Sequence, residues 1–190
     1  MIIKLISKNR SYRRFYQNVT IPLDTLKELV NLARLSPSAA NKQPLKYILS
    51  NDSRKNELIF PCLAWAGYLK GWDGPAEGEK PSAYIILLGD REISQSFGCD
   101  HGIASQSILL GAVEKGFGGC IISSVQRKKL CSSLNIPERY EILLVIALGK
   151  PREKVVIENP GPDSDIKYWR DNKSVHHVPK RSLDDLILNF

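Results

Sequence analysis

Apolar residues recur at helical spacing along one early stretch of the chain. Between Pro22 and Leu35 they stand three or four positions apart, at Leu23, Leu26, Leu29, Val30 and Ala33. This period predicts an amphipathic helix with one buried face. Pro22 suits the first turn of such a helix, and Asp24 complements the positive N-terminal end of the helix dipole.

Four shorter apolar runs predict strands. They cover residues 46–50, 84–88, 120–123 and 142–148. The runs at 84–88 and 142–148 are almost continuously apolar, which is typical of strands buried on both faces.

Three more segments are expected to be helical. Residues 56–70 form the first, in which Pro61 predicts a break or a new start. The second runs from Asp100, as its cap, to Lys115, and the third covers residues 126–134. Small residues are frequent in the second segment, and they let another backbone approach closely. It is therefore predicted to be a packed central or intersubunit helix.

The order of these segments bears on the fold class. About four strands and five helices are interspersed, and no Gly-x-Gly-x-x-Gly follows the first strand. A dinucleotide-binding Rossmann domain is therefore disfavoured. The pattern predicts an α+β sandwich in which helices cover a mixed sheet.

Composition is that of an ordinary globular protein. The chain has 190 residues, of which 43% are hydrophobic and 25% charged, and this length fits one domain spanning residues 1–190. No run of 18 apolar residues occurs, so no membrane-spanning helix is expected. The N-terminal apolar stretch is too short for a signal peptide, and we expect a cytoplasmic protein with no membrane partner.

Cysteines and histidines give little support for a metal site. The four cysteines contain no Cys-x-x-Cys pair, and the tandem His176 and His177 cannot place both rings on one face of a strand or helix. We therefore expect no metal ligands.

A net charge of +7 raises the possibility of nucleic acid binding. The basic residues are dispersed, however, and aromatic residues do not alternate with them as a stacking surface requires. A few of the cations are expected to bind a phosphate monoester and the rest to form a solvated face. A basic nucleic-acid-binding module therefore stays as an alternative hypothesis, although we expect no nucleic acid partner.

A Pro-rich loop follows the predicted helix at residues 36–44. Its two prolines stiffen the backbone, and the carboxamides of Asn41 and Gln43 offer donors and acceptors that suit the edge of a planar polar ring. The alternative is a plain helix-to-strand connection with incidental amides.

Three motifs follow one another along the chain, and the second of them lies within this loop. They read Arg-Ser-Tyr-Arg-Arg-Phe at 10–15, Pro-Ser-Ala-x-Asn-x-Gln-Pro at 37–44 and Val-Pro-Lys-Arg-Ser-Leu at 178–183. In this order and spacing they resemble the FMN-dependent nitroreductase family, and the resemblance spans residues 6–186. It implies a mixed, mainly antiparallel sheet flanked by helices, in an obligate homodimer with FMN sites at the subunit interface.

The resemblance also implies roles for particular residues. The FMN phosphate would be bound by Arg10, Ser11, Arg13, Lys180 and Arg181. The isoalloxazine ring would be covered by Pro37, Ser38 and Ala39 of the neighbouring subunit, and Asn41 and Gln43 would serve its polar side or the ribityl chain. The backbone of Ile121, Ile122 and Ser123 would lie against the ring, with an N–H near Ser123 facing N5. Asn9 departs from the family pattern, in which many members carry a basic residue at this position.

Arg10 and Arg13 are three positions apart, which places them on one side if the local backbone is helical. No side chain stands out as a general acid, base or nucleophile, which fits an enzyme whose cofactor carries the chemistry. The resemblance implies ping-pong transfer of hydride from NADH or NADPH to FMN N5, and then of electrons to a nitroaromatic, quinone or related small acceptor. A non-catalytic protein that binds or stores FMN would share the same motifs and is the alternative.

Overall fold

The computed structural model describes residues 2–161 and 164–188. Its helices are α1 Ile2–Lys8, α2 Leu23–Leu35, α3 Ser53–Ile59, α4 Asp100–Glu114 and α5 Arg127–Leu134. Its strands are β1 Phe15–Tyr16, β2 Leu45–Ser50, β3 Ala83–Asp90, β4 Gly118–Ile122, β5 Tyr140–Pro151, β6 Val155–Glu158, β7 Trp169–Arg170 and β8 His176–Pro179. Among these helices, none is both long and apolar enough to cross a membrane.

The larger sheet is built around the long strand β5. Its order is β1-β5-β3-β2, β4 also pairs with β5, and all of these pairs are antiparallel. A parallel pair occurs in the smaller sheet, β6-β8-β7, between β6 and β8. The predicted mixed, mainly antiparallel sheet with flanking helices is therefore confirmed, and the fold class is α+β.

Strand β3 shows how the core is divided between the two faces of the larger sheet. Ile85 and Leu87 pack on one face with residues of α2 and α4, whereas Tyr84 and Ile86 pack on the other with residues of α3 and α5. This alternation follows from the two-residue period of a strand. Because both faces are covered, the strand is buried along its whole length, as its apolar run predicts.

Helix α4 packs closely against α2. A Cβ added at Gly111 would meet Leu32 Cδ1 at 2.3 Å, so the small residue at 111 is what lets the two helices approach. The prediction of a tightly packed helix here is confirmed. The predicted helix at 23–35 and all four predicted strands are also present, with bounds that differ by a few residues.

One expectation for secondary structure was wrong. Residues 56–70 do not form one helix: α3 begins earlier, at Ser53, and ends at Ile59, and a single 3-10 turn follows at Phe60–Cys62. Pro61 explains this, because its ring and missing N–H stop an α-helix. The pattern also missed α1 and the smaller sheet, whose strands of two to four residues are too short to show a period.

The smaller sheet is joined to the N-terminal segment by Glu153, which lies between β5 and β6. Its carboxylate accepts hydrogen bonds from the backbone N–H groups of Arg13 and Arg14. On its other side it pairs with Arg170 of β7 at 3.2 Å. One buried carboxylate thus holds residues 13–14 beside the C-terminal part of the chain.

Candidate functional site

A cleft of about 220 Å³ lies between the N-terminal segment, β4 and the smaller sheet. We call it the basic cleft, and its lining includes Arg10, Ser11, Arg13, Ile121 and Lys180. These residues come from the first and the last of the three motifs, at 10–15 and 178–183, and from β4. Of the described residues that line the cleft, none is acidic.

Strand β4 positions the first motif. Ser11 forms a parallel bridge with Gly119, and Tyr12 N–H donates to the Gly119 carbonyl at 3.0 Å. Helix α1 has already ended at Lys8, so the backbone of Arg10 and Arg13 is not helical. Their three-residue spacing therefore does not place Arg10 and Arg13 together, because that would need a helical backbone. Arg10 and Arg13 line the same cleft because the pairing of Ser11 with Gly119 holds residues 10–13 along β4.

Two aromatic rings hold the guanidinium of Arg13. Its Nη1 lies 3.1 Å from His176 Nε2, and its central carbon lies 4.8 Å from the centroid of the Tyr168 ring. Both rings also line the basic cleft. Arg13 is therefore fixed beside the cleft by His176 of β8 and by Tyr168, which directly precedes β7.

His176 is buried, with 1% of its surface exposed. Burial, together with the charges of Arg13, Arg170 and His177, lowers the pKa of His176 from 6.5 to about 4. The ring is therefore neutral near pH 7. The neighbouring His177 points to the other face of β8, where its Nδ1 lies 2.6 Å from Glu158. As expected, the tandem histidines do not share a face.

The remaining cations differ in how they are held. Arg10 Nη2 donates to the Ile6 carbonyl at 2.8 Å, while its buried Nε has no hydrogen-bond partner among the described residues. Lys180 is exposed at the edge of the cleft, and Arg181 is exposed beyond its lining. Asn9 also lines the cleft, and its Nδ2 donates to Gln106 Oε1 at 3.2 Å.

The Pro-rich loop lines a different cleft, of about 230 Å³. We call it the loop cleft; Pro37, Ser38 and Gln43 contribute to it, whereas Ala39 and Asn41 are exposed on the loop. Within one chain, therefore, the residues predicted to hold the phosphate and those predicted to cover the ring do not share a cleft.

Asp100 anchors this loop, a role that the sequence did not reveal. It was predicted to cap α4, but Cys99 is the N-cap residue. The buried Asp100 carboxylate instead accepts a hydrogen bond from Ser38 Oγ at 2.6 Å and another from Ala39 N–H at 3.0 Å. An acidic residue at a helix start looks like a cap, and nothing local indicates a partner more than 60 positions away.

The loop backbone is strained where the anchor holds it. Ala40, Asn41 and Gln43 have φ values of 50°, 53° and 52°, in the left-handed region that non-glycine residues seldom adopt. Such conformations persist only where surrounding contacts enforce them, and they cluster at functional sites. The strain supports a functional loop over a plain connection.

Tyr47 also lines the loop cleft, and burial raises the pKa of its hydroxyl to about 12.

The end of β4 presents its three predicted residues differently. Ile121 is 39% exposed and lines the basic cleft, whereas Ile122 is buried in the core beneath the sheet. Ser123 follows the strand and is exposed. The side chain of Ile122 is therefore directed away from solvent, and any contact that residue 122 makes at the site must come from its backbone.

The basic cleft fits the phosphate end of FMN. Arginine and lysine donors, a serine hydroxyl and the absence of lining carboxylates among the described residues suit a phosphate dianion. The buried, unpartnered Nε of Arg10 is a further donor held close to this cleft.

Comparison with known proteins identifies the family of the chain. A family model described as "Nitroreductase family" matches residues 6–68 and 81–150. A relative from Archaeoglobus fulgidus, provisionally named NADH dehydrogenase/NAD(P)H nitroreductase, is 26% identical over 160 residues, covering 80% of this chain and 86% of that protein. A 5,6-dimethylbenzimidazole synthase from Rhodospirillum rubrum is 24% identical over 195 residues and covers 88% of each chain.

Solved structures give the same result at the level of the fold. An FMN-dependent nitroreductase from Clostridium difficile superposes with a TM-score of 0.69 at 21% identity, covering 99% of this chain and 98% of that one. A nitroreductase family protein from Streptococcus pneumoniae gives a TM-score of 0.69 at 16% identity over the whole of both chains. With the family model matching more than half of its residues, the chain belongs to the nitroreductase family.

Proposed function

We propose that this chain is an FMN-dependent oxidoreductase and that one domain, residues 1–190, carries the activity. The observation that supports this most strongly is the basic cleft. There, residues from two distant motifs, at 10–15 and 178–183, meet beside β4, and none of the described lining residues is acidic. Such a cleft is suited to a phosphate monoester, as found in FMN. Family membership and the relatives named NAD(P)H nitroreductases support the oxidoreductase assignment.

The proposed cofactor-binding residues fall into three groups. The phosphate is held by Arg10, Ser11, Arg13, Lys180 and Arg181. The backbone of Ile121, Ile122 and Ser123 lies against the ring. The loop residues Pro37, Ser38, Ala39, Asn41 and Gln43 cover the ring and contact its polar side.

The two clefts bear on the oligomeric state. In one chain the loop residues line the loop cleft and the phosphate residues line the basic cleft. A loop from a second copy of the chain would let both groups contact one FMN molecule, which is the arrangement that the resemblance implies. We therefore propose a homodimer with FMN at the subunit interface.

When bound, FMN supplies the redox chemistry, accepting hydride from NADH or NADPH at N5 and reducing a nitroaromatic, quinone or related small acceptor in a ping-pong cycle. The chain itself contributes binding and orientation. Arg13 and Arg10 neutralise the phosphate, and the strained loop held by Asp100 presents a rigid surface to the ring. We assign no side chain as a catalytic acid or base.

The visible spectrum of the purified protein tests this proposal. We expect a yellow protein that bleaches under anaerobic NADH or NADPH and regains its colour with a nitroaromatic or quinone. A yellow protein that neither nucleotide bleaches would support the non-catalytic storage alternative. A colourless protein that takes up no added FMN would refute the cofactor assignment.

Replacing Arg13 tests the phosphate site directly. Loss of a charge-assisted hydrogen bond of about 1.5–3 kcal/mol should raise the FMN dissociation constant of Arg13→Ala at least about tenfold. Riboflavin lacks the phosphate, so its affinity should stay unchanged. Arg54→Ala, on an exposed position of α3, is the matched control and should leave both flavin affinities unaltered. Unchanged FMN affinity in Arg13→Ala would remove Arg13 from the site.

A further inference from the structure

Two residues outside the family motifs contact Arg13: His176 of β8, and Tyr168, which directly precedes β7. The His176 ring lies within hydrogen-bond distance of Nη1, and the Tyr168 ring lies against the guanidinium. The two rings also contact each other, with centroids 5.3 Å apart. Together they form one support on the side of Arg13 that faces the smaller sheet.

The chemistry of the pair fixes the state of the imidazole. A guanidinium has only donors, so at 3.1 Å the Nε2 of His176 must be the acceptor, and the ring hydrogen must reside on Nδ1. A protonated imidazole would carry donors on both nitrogens and could not accept this bond. Its neighbours also oppose protonation, since Arg13 and Arg170 are cationic and His177 adds to them when charged.

Tyr168 is itself fixed at both ends. Its ring lies beneath Arg13, and its hydroxyl accepts a hydrogen bond from the Tyr68 N–H at 3.4 Å. The Tyr68 and Tyr168 rings are also in contact, with centroids 5.0 Å apart. The residue can therefore hold a cation in place, because it cannot easily turn away.

The other cations of the basic cleft lack such a support. Lys180 is exposed, and Arg10 donates to the Ile6 carbonyl of α1, only four residues before it. Arg13 is thus the cation whose orientation depends on side chains from another part of the fold. A forked donor contributes to phosphate binding only when its fork points at the phosphate.

We propose that His176 and Tyr168 are positioning residues that orient the Arg13 guanidinium toward the phosphate of the bound flavin, His176 as a neutral acceptor and Tyr168 as a ring beneath the cation. This role rests on the proposed function, because it concerns the same cofactor site. It makes FMN retention depend on residues that belong to none of the three motifs.

Flavin binding by variants of both residues tests the role, with FMN and riboflavin titrated separately by fluorescence quenching. His176→Phe keeps a planar ring but has no acceptor, and we expect its FMN dissociation constant to rise about tenfold. His176→Gln keeps an uncharged acceptor and should stay within about threefold of wild type. Riboflavin affinity should stay within about twofold in both variants, because riboflavin has no phosphate for Arg13 to bind.

A second pair of variants separates the ring of Tyr168 from its hydroxyl. Tyr168→Leu removes the surface beneath the cation and should weaken FMN binding about threefold or more. Tyr168→Phe loses only the long hydrogen bond of the hydroxyl and keeps every ring contact, so it should bind FMN within about twofold of the wild type. If His176→Phe does not fold, as judged by circular dichroism, this pair provides the same comparison.

The outcomes distinguish this role from the proposed function. An equal loss of FMN and riboflavin affinity in His176→Phe would show that His176 has a merely structural role. Unchanged affinities for both flavins would overturn the positioning role and leave the proposed function standing. Failure of His176→Gln to restore FMN affinity would contradict the acceptor role. A wild-type protein that binds neither FMN nor inorganic phosphate, the latter measured by thermal shift, would overturn this role and the proposed function together.

Discussion

Replacing Asp100 by alanine should loosen the Pro-rich loop while leaving most of the fold intact. The carboxylate is 4% exposed, and it accepts hydrogen bonds from Ser38 Oγ at 2.6 Å and from Ala39 N–H at 3.0 Å. In Asp100→Ala both bonds disappear. The loop then loses the contacts that hold its three left-handed residues in place.

The size of the effect follows from what replaces each bond. Hydrogen bonds to a charged group contribute about 1.5–3 kcal/mol each. Ala39 is exposed, so water can satisfy its N–H, and that loss is reduced to about 1 kcal/mol. Ser38 is half-buried, and the full cost of about 1.5 kcal/mol applies there. Relief of loop strain and of the buried charge offsets part of this sum, so we expect the free energy of unfolding to fall by about 2 kcal/mol.

Two measurements check this expectation. Urea unfolding followed by tryptophan fluorescence gives the free energy, and limited trypsin digestion reports the loop, because Lys42 is exposed within it. Cleavage after Lys42 should be faster in Asp100→Ala than in wild type. The control is Asp52→Ala, which removes the N-cap bond to Lys55 N–H and should cost about 1 kcal/mol without changing cleavage at Lys42. A loss below about 0.5 kcal/mol with unchanged cleavage would refute the anchoring role.

Two further predictions concern the surroundings of the basic cleft. Because the pKa of His176 is about 4 in the folded protein and 6.5 ordinarily, the unfolded chain binds more protons between these values, so stability should fall as pH drops from 6.5 to 4. This shift in pKa corresponds to a loss of ~3 kcal/mol in the free energy of unfolding at most, and we expect ~2 kcal/mol because solvent reaches the adjoining cleft. In urea unfolding measured at several pH values, His176→Gln should show a shallower dependence of stability on pH. Equal slopes for variant and wild type would contradict the lowered pKa of His176. Gly119→Ala should destabilise the protein by about 1–3 kcal/mol, because its Cβ would meet the Ala147 carbonyl at 2.5 Å. The control Gly67→Ala, whose Cβ would have no atom within 4 Å, should melt at nearly the wild-type temperature. Equal melting temperatures for the two variants would show that β4 and β5 can separate to make room.

The regular parts of the fold could be predicted from the sequence because their patterns are strong. Helix α2 has a clear apolar stripe, and β3 and β5 are continuous apolar runs, so element type followed from local physics. The break at Pro61 was foreseen as an alternative, but the end of α3 at Ile59 was not. The smaller sheet has strands too short to carry a period, and its pairing partners are set by tertiary contacts such as Glu153.

The candidate site was predicted by resemblance more than by pattern. The motifs identified Arg10, Ser11, Arg13 and Lys180, and the fold brings these together in the basic cleft. Their three-residue spacing would have placed Arg10 and Arg13 on one side only in a helical backbone. The segment pairs with β4 instead, and this pairing brings them to the same cleft. Tyr168 and His176 carried no local signal, since their roles arise only when the C-terminal strands meet the N-terminal segment.

The contact between Arg13 and His176 joins residues 163 positions apart. Closing so long a loop costs conformational entropy before any contact compensates it, so this contact is expected to form after the larger sheet has assembled. During synthesis the support for Arg13 cannot exist until β8 has left the ribosome. Cofactor uptake should therefore be a late event, and a chain truncated before β8 should have its sheet but retain little FMN.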